Sequence, residues 1–123
     1  MALEKEFGKD KPLLTTGIVA SMLNITPDRL RTYDTEKLIK THRQKTGLIQ
    51  KRLYSQNDVE WLVCLRKLVK DYKMSISSIK TLLQIIFLNP EIVLPKNEIG
   101  EVLAELKENP NFAPVVKNFC ANR

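Results

Sequence analysis

Six cationic side chains, Lys37, Lys40, Arg43, Lys45, Lys51 and Arg52, fall within 16 consecutive residues that contain no acid. Amines and guanidinium groups in such a run have one obvious chemistry, the neutralisation of a polyanion. The whole 123-residue chain carries a net charge of +6, the charge of that one window. Residues 74–123 hold five basic and five acidic side chains and contribute nothing to the excess. An ordinary surface mixes signs, because clustered like charges repel one another. A one-sign patch therefore points to nucleic acid first and to an anionic membrane second.

Other chemistries find less material. His42 is the single histidine and has no Asp or Ser partner at a recognisable spacing. The four glycines are scattered at 8, 17, 47 and 100, so no phosphate-cradling loop is built from them. Cys64 and Cys120 are far apart, with neither the spacing of a metal site nor the density of a disulfide scaffold. Cys64 falls in an apolar helical pattern and is expected in the core. No catalytic residue, metal site or cofactor is expected, and the chain is not expected to be an enzyme. No apolar run reaches the roughly 18–20 residues that span a bilayer; the longest, 82–88, is interrupted by Gln84. The N-terminus MALEKEFGKDK is charged and lacks the apolar stretch of a secretory signal. A cytoplasmic, nucleoid-associated location and no membrane partner are expected.

The elements that must position the cations follow from capping and periodicity. Thr15 or Thr16 suits the N-cap of a first helix, whose stripe would be Ile18, Val19, Met22 and Leu23. Asn24 and Ile25 make a turn. Thr26 caps a second helix, with Pro27 at its first position and Asp28 beside the positive end of its dipole. Leu30, Tyr33 (or Asp34) and Leu38 would face inward, and Arg29, Thr32 and Glu36 outward. Two short helices with a tight turn make a helix-turn-helix, whose second helix fits a major groove. From Thr41 to Tyr54 helical periodicity stops, and Lys45-Thr46-Gly47 reads as the turn of a two-stranded hairpin, a wing. Ser55 and Asp58 begin a third helix in a capping-box pattern, with Trp61 at the edge of its apolar face. Ser75 caps a fourth helix that stops at Asn89-Pro90. Two short helices, about 97–107 and 113–121, are expected beyond it, the first with a stripe of Ile99, Val102, Leu103 and Leu106.

In that order, the segments TTGIVA (15–20), ITPDRLR (25–31), RTYDTEKLI (31–39), RLYSQND (52–58) and MSISSIKTLL (74–83) resemble the DNA-binding domain of the MerR family of bacterial transcription regulators. The resemblance covers about residues 13–88. It implies a mainly α, winged helix-turn-helix fold: four helices plus a two-stranded β-hairpin wing, with a short helical C-terminal extension. It implies that the second helix enters the major groove while the wing reaches the flanking backbone. The DNA-binding residues it implies are Arg29, Arg31 and Tyr33 from the helices and Arg43, Arg52 and Tyr54 from the wing; the charge window adds Lys40, Lys45 and Lys51 as phosphate or minor-groove contacts, and Thr15, Thr26 and Thr32 complete the expected DNA-binding set. Arg29 has two roles open, pairing with guanine or touching phosphate. Tyr33 and Tyr54 could be core aromatics whose hydroxyls reach phosphate. The family often carries glycine where this chain has Lys37 and Lys73, aromatics where it has Thr32 and Lys51, and a shorter wing.

The organisation expected is a disordered tail at 1–12, the winged domain at 13–89, and an extension at 90–123 for oligomerisation or a partner contact. The 34 residues after Asn89 are broken by prolines, which suggests a short-tailed regulator without a small-molecule sensor domain. The function expected is sequence-specific binding of double-stranded DNA for transcription regulation, as a homodimer on an inverted repeat, with RNA polymerase at the promoter as a further partner. Two alternatives stand beside it: an excisionase-like or architectural DNA-binding protein, and a protein-interaction module that uses the basic face.

Overall fold

The computed structural model describes residues 8–120, apart from the side chain of Cys120. A two-residue strand β1 (Leu14–Thr15) leads into α1 (Thr16–Leu23) and α2 (Pro27–Thr35). The hairpin follows as β2 (His42–Thr46) and β3 (Ile49–Tyr54), then α3 (Gln56–Lys70), α4 (Ile76–Leu88), α5 (Glu98–Glu108) and α6 (Phe112–Cys120). Among the described residues no helix is long and apolar enough to cross a membrane.

Local chemistry sets the helix starts. Thr15, Thr26, Ser55, Ser75 and Asn97 each accept a backbone N–H of the first turn, each cap stabilising by about 1 kcal/mol. Ser55 and Asp58 complete a reciprocal capping box. The first two helices end with a left-handed residue. At Asn24 (φ 57°) the Ile25 N–H returns to the Ala20 carbonyl; at Lys37 (φ 63°) the Leu38 N–H returns to Tyr33. Both are Schellman endings, which favour glycine. Lys73 (φ 55°) is a third left-handed residue, in the turn before α4. The backbone at both lysines has thus kept the conformation that glycine would adopt without strain.

The sheet has three strands in the order β1-β3-β2. β1 was not anticipated. It pairs Leu14 with Tyr54 and Thr15 with Leu53, and so tethers the wing to the start of α1. The hairpin turn lies at Gly47-Leu48, with Thr46 facing Ile49, one residue beyond the expected turn. Its first residue, Gly47, has φ 64°, the positive angle that a II′ turn requires at that position.

One core joins all six helices. On α1 the buried residues are Val19, Ala20 and Leu23, whereas Ile18 and Met22 are 50% and 53% exposed; α1 touches the body through a narrower stripe than expected. Trp61 is fully buried rather than at an edge. The tail folds back onto the domain. Val102, Leu103 and Leu106 of α5 are buried in the common core, α5 packs on α3, and α6 packs on α4. Phe87 and Phe112 meet edge to face at 5.9 Å. The Asn111 amide donates to Asp58 (2.9 Å), and the Asn109 amide to the Asn57 carbonyl (3.1 Å), which clips the α5–α6 turn to the start of α3. Of the expected N-terminal tail, residues 1–7 lie outside the described residues. From Gly8 onward the chain makes a turn, Lys9 accepting from the Asn57 N–H and pairing with Glu60 at 3.1 Å.

Candidate nucleic-acid interface

Two anchors from α3 hold the helix-turn-helix. The Trp61 indole donates to the Leu38 carbonyl at 2.6 Å, just past α2, and Arg66 Nε donates to the Leu23 carbonyl at 3.2 Å, at the end of α1. Both carbonyls lie near helix ends, where intrahelical partners run out. From α4, Lys80 pairs with Glu36 at 3.2 Å. These contacts lie 23 to 44 residues apart in sequence, so no local pattern announces them.

The exposed side of α2 carries Arg29 and Thr32. The Arg29 side chain makes no hydrogen bond or ion pair among the described residues, so its guanidinium is available. Thr26 uses its oxygen to accept the Arg29 N–H (3.1 Å), and Thr15 caps α1 in the same way (3.4 Å). The Thr32 hydroxyl donates to the Asp28 carbonyl at 3.1 Å. Arg31 pairs with Asp28 at 2.6 Å, an exposed contact between neighbouring turns that contributes only tenths of a kcal/mol and yields readily to a stronger anion. Tyr33 is a core residue with a ring buried against the body. Burial raises its hydroxyl above the usual phenol value, and the Arg66 and Arg29 charges offset part of that. Together with Arg29 and Thr32 it lines a cleft of about 540 Å³ between α2 and the start of α4.

The wing is organised by Asp34, on the last turn of α2. Its Oδ2 accepts from Arg52 Nε at 2.8 Å and from Arg43 Nη2 at 3.0 Å, while Oδ1 accepts the Thr41 hydroxyl at 3.3 Å. Arg43 and Arg52 sit directly opposite one another across the β2–β3 ladder. Two cations in that register repel, and the Asp34 carboxylate between them turns the repulsion into a clamp. Asp34 is the residue that sequence reasoning left undecided; its role needs the fold, since Arg52 lies 18 residues away. The six cations of the acid-free window therefore divide. Arg43 and Arg52 are held by Asp34, whereas Lys37, Lys40, Lys45 and Lys51 are exposed and make no ion pair among the described residues.

The ladder also sets which way the wing cations point. Arg43, Lys45, Gln50 and Arg52 share one face; Gln44 and Lys51 share the other. Lys45 and Lys51 thus project to opposite sides of the ribbon, as two cations reaching across its tip rather than as one flat basic face. The tip itself is apolar and open, with Leu48 fully exposed.

Tyr54 corrects the expectation of a hydroxyl that reaches phosphate. It is 0% exposed, and its hydroxyl is sealed from the surface. Burial raises its pKa; the Thr16 side chain offsets part of the shift, yet the two groups do not meet in hydrogen-bond geometry. Tyr54 is a core post where β3 meets β1 and α3. His42 lies 4.0 Å from Asp58, a pairing not visible in sequence, but both Asp58 oxygens already accept, from Ser55 and from Asn111. Among the described residues no group of three His, Cys, Asp or Glu side chains is placed to hold a metal.

A family model described as MerR HTH family regulatory protein matches residues 14–85, more than half of the chain. The match takes in β1, both helices of the helix-turn-helix, the wing, α3 and most of α4, and it stops before the tail. A search of curated proteins finds no match.

Proposed function

The chain belongs to the MerR family of helix-turn-helix regulatory proteins, and on that premise we propose that it binds double-stranded DNA sequence-specifically to regulate transcription, as a homodimer on an inverted repeat. The observation that carries this reading is the Asp34 clamp. It ties the helix that presents Arg29 and Thr32 to the ribbon that presents Lys45 and Lys51, and so sets the spacing between a groove-reading element and a backbone-holding one. Arg29 is the proposed base reader, because a free guanidinium pairs bidentately with guanine. Lys40, Lys45 and Lys51 are the proposed phosphate contacts. Thr15, Thr26, Thr32 and Arg31 supply further polar groups along the strand, and Arg43 and Arg52 position the wing. Two half-sites held by two copies would supply the energy to distort the DNA between them, which suits action at a promoter with RNA polymerase, in the cytoplasm.

A second reading has its own support. The tail helices close on their own domain, which leaves neither of them extended as a dimerisation arm and favours a single-module architectural DNA protein. Selection from a random duplex pool, with the hydrodynamic mass of the protein alone and on the selected DNA, separates the two. An enriched inverted repeat bound by two copies supports the dimeric regulator. A single half-site bound by a monomer supports the architectural module. Salt-sensitive binding without enrichment rejects sequence specificity.

A further inference from the structure

Beyond the helix and the wing tip there is a second cationic feature, and it includes the tail. A cleft of about 530 Å³ opens where α6 approaches the base of the wing. Lys37 and Lys40 enter it from the segment after α2, Arg43 from β2, and Lys117 from α6, with Asn118 beside it. Pro114 and Val115 form part of the α6 wall. The one acid in the lining is Asp34, whose oxygens already accept from Arg43, Arg52 and Thr41. The ammonium groups of Lys37, Lys40 and Lys117 make no ion pair or hydrogen bond among the described residues. Four cations against one engaged carboxylate leave the cleft strongly positive.

The cluster is assembled only by folding. Lys117 lies 65 residues beyond the end of the basic window and outside the family match. The segment it comes from is charge-balanced overall. α6 is placed by the Phe87–Phe112 contact and by the Asn111–Asp58 hydrogen bond at the turn before it, so the position of Lys117 does not depend on the wing cations.

The geometry points to a phosphate-binding site in this cleft, between the tail and the base of the wing. A phosphate group offers several acceptor oxygens and more than one negative charge, which matches ammonium and guanidinium donors arriving from different directions. The cleft volume lies in the range that holds a small ligand. Two sources carry the required chemistry, a free small phosphorylated molecule and the backbone of a bound duplex. The site stands apart from the proposed base reading by Arg29, and its first test needs no DNA.

The experiment is a titration of the full chain with inorganic pyrophosphate, followed by backbone amide shifts in NMR. The expected result is a saturable response confined to residues 37–43 and 114–118. Lys117→Glu should weaken it by about tenfold or more, and Lys117→Gln by less, since a charged hydrogen bond is removed in both and repulsion is added only in the first. Lys96→Glu, the same charge change at an exposed lysine outside the cleft, should leave the affinity unchanged, and the melting temperature of each variant checks its fold. Unsaturating shifts spread over Lys45 and Lys51, or equal weakening by Lys96→Glu, would overturn the site in favour of diffuse electrostatics. A repeat with a saturating short duplex identifies the source. Displacement of pyrophosphate assigns the cleft to the DNA backbone, and joint occupancy assigns it to a free phosphorylated molecule; either supports the site.

Discussion

Asp34 Oδ2 stands 2.8 Å from Arg52 Nε, joining the last turn of α2 to β3 across 18 residues of sequence. The same oxygen holds Arg43 at 3.0 Å. The carboxylate is only 13% exposed, and Arg52 is 27% exposed, so this pair is screened less than a surface ion pair. Asp34→Ala should leave two opposed arginines without their counter-charge and lower stability by about 1–3 kcal/mol. DNA affinity should fall as well, although a negative charge has been removed. A purely electrostatic view expects the opposite, tighter binding, and titration of a selected duplex with both proteins decides between them.

Arg29 and Lys45 should fail in different ways. Arg29→Ala should relax the base preference at one position, whereas Lys45→Ala should weaken all sequences alike and flatten the salt dependence by about one unit. With about six phosphates neutralised, the slope of log K on log salt should lie near −5. A slope shallower than about −2 would remove the wing from the interface. Identical profiles for the two variants would remove the division between reader and holder.

Lys37 and Lys73 occupy left-handed backbone at φ 63° and 55°. A side chain there costs about 1–2 kcal/mol, partly offset because glycine loses more entropy on folding. Lys73→Gly should therefore stabilise by about 0.5–1 kcal/mol, or about 2–5 °C in Tm. Lys37→Gly should stabilise similarly while also deleting a cleft cation. A drop in Tm for Lys73→Gly would show that the lysine side chain makes contacts worth more than the strain.

Gly100 is the close-approach glycine of the tail. A Cβ there would lie 1.6 Å from the Pro95 carbonyl oxygen, a backbone atom that cannot swing aside. Gly100→Ala should cost about 2–4 kcal/mol, read by thermal unfolding. Increased amide exchange in α5 and α6 should accompany it, with α1 and α2 less affected.

Cys64 sits between α3 and α5, its thiol donating to Glu105 at 3.1 Å. Burial, reinforced by that carboxylate, pushes its pKa up to about 12. Between about pH 8.5 and 12 the unfolded chain has shed a proton that the folded chain keeps, so stability falls as pH rises through that window. The buried hydroxyls of Tyr33 and Tyr54, also raised, act in the same direction from about pH 10. Melting curves from pH 7.5 to 10 should slope less for Cys64→Ala than for the unaltered protein; Cys120 is common to both and cancels. Equal slopes would contradict the buried, protonated thiol.

Much of this molecule is legible from neighbouring residues alone. Thr26 and Ser55 mark helix starts because a hydroxyl three positions ahead of an open N–H is a local event. The left-handed positions at Lys37 and Lys73 are visible only against the family resemblance, which often carries glycine there, since lysine itself does not mark such a turn. The cation window, too, is a property of consecutive residues, and it already pointed to a polyanion. The tertiary structure alone decided which of those cations are free. Asp34 engages both Arg43 and Arg52, Tyr54 is closed inside by a strand pairing that two residues before α1 provide, and Lys117 arrives beside Lys40 because α6 packs on α4. None of these has a sequence signature, since each depends on groups brought together by burial of apolar faces elsewhere. Hydrogen bonds along a helix repeat with its period, but a carboxylate meeting a guanidinium from another element is set by the packing of the whole.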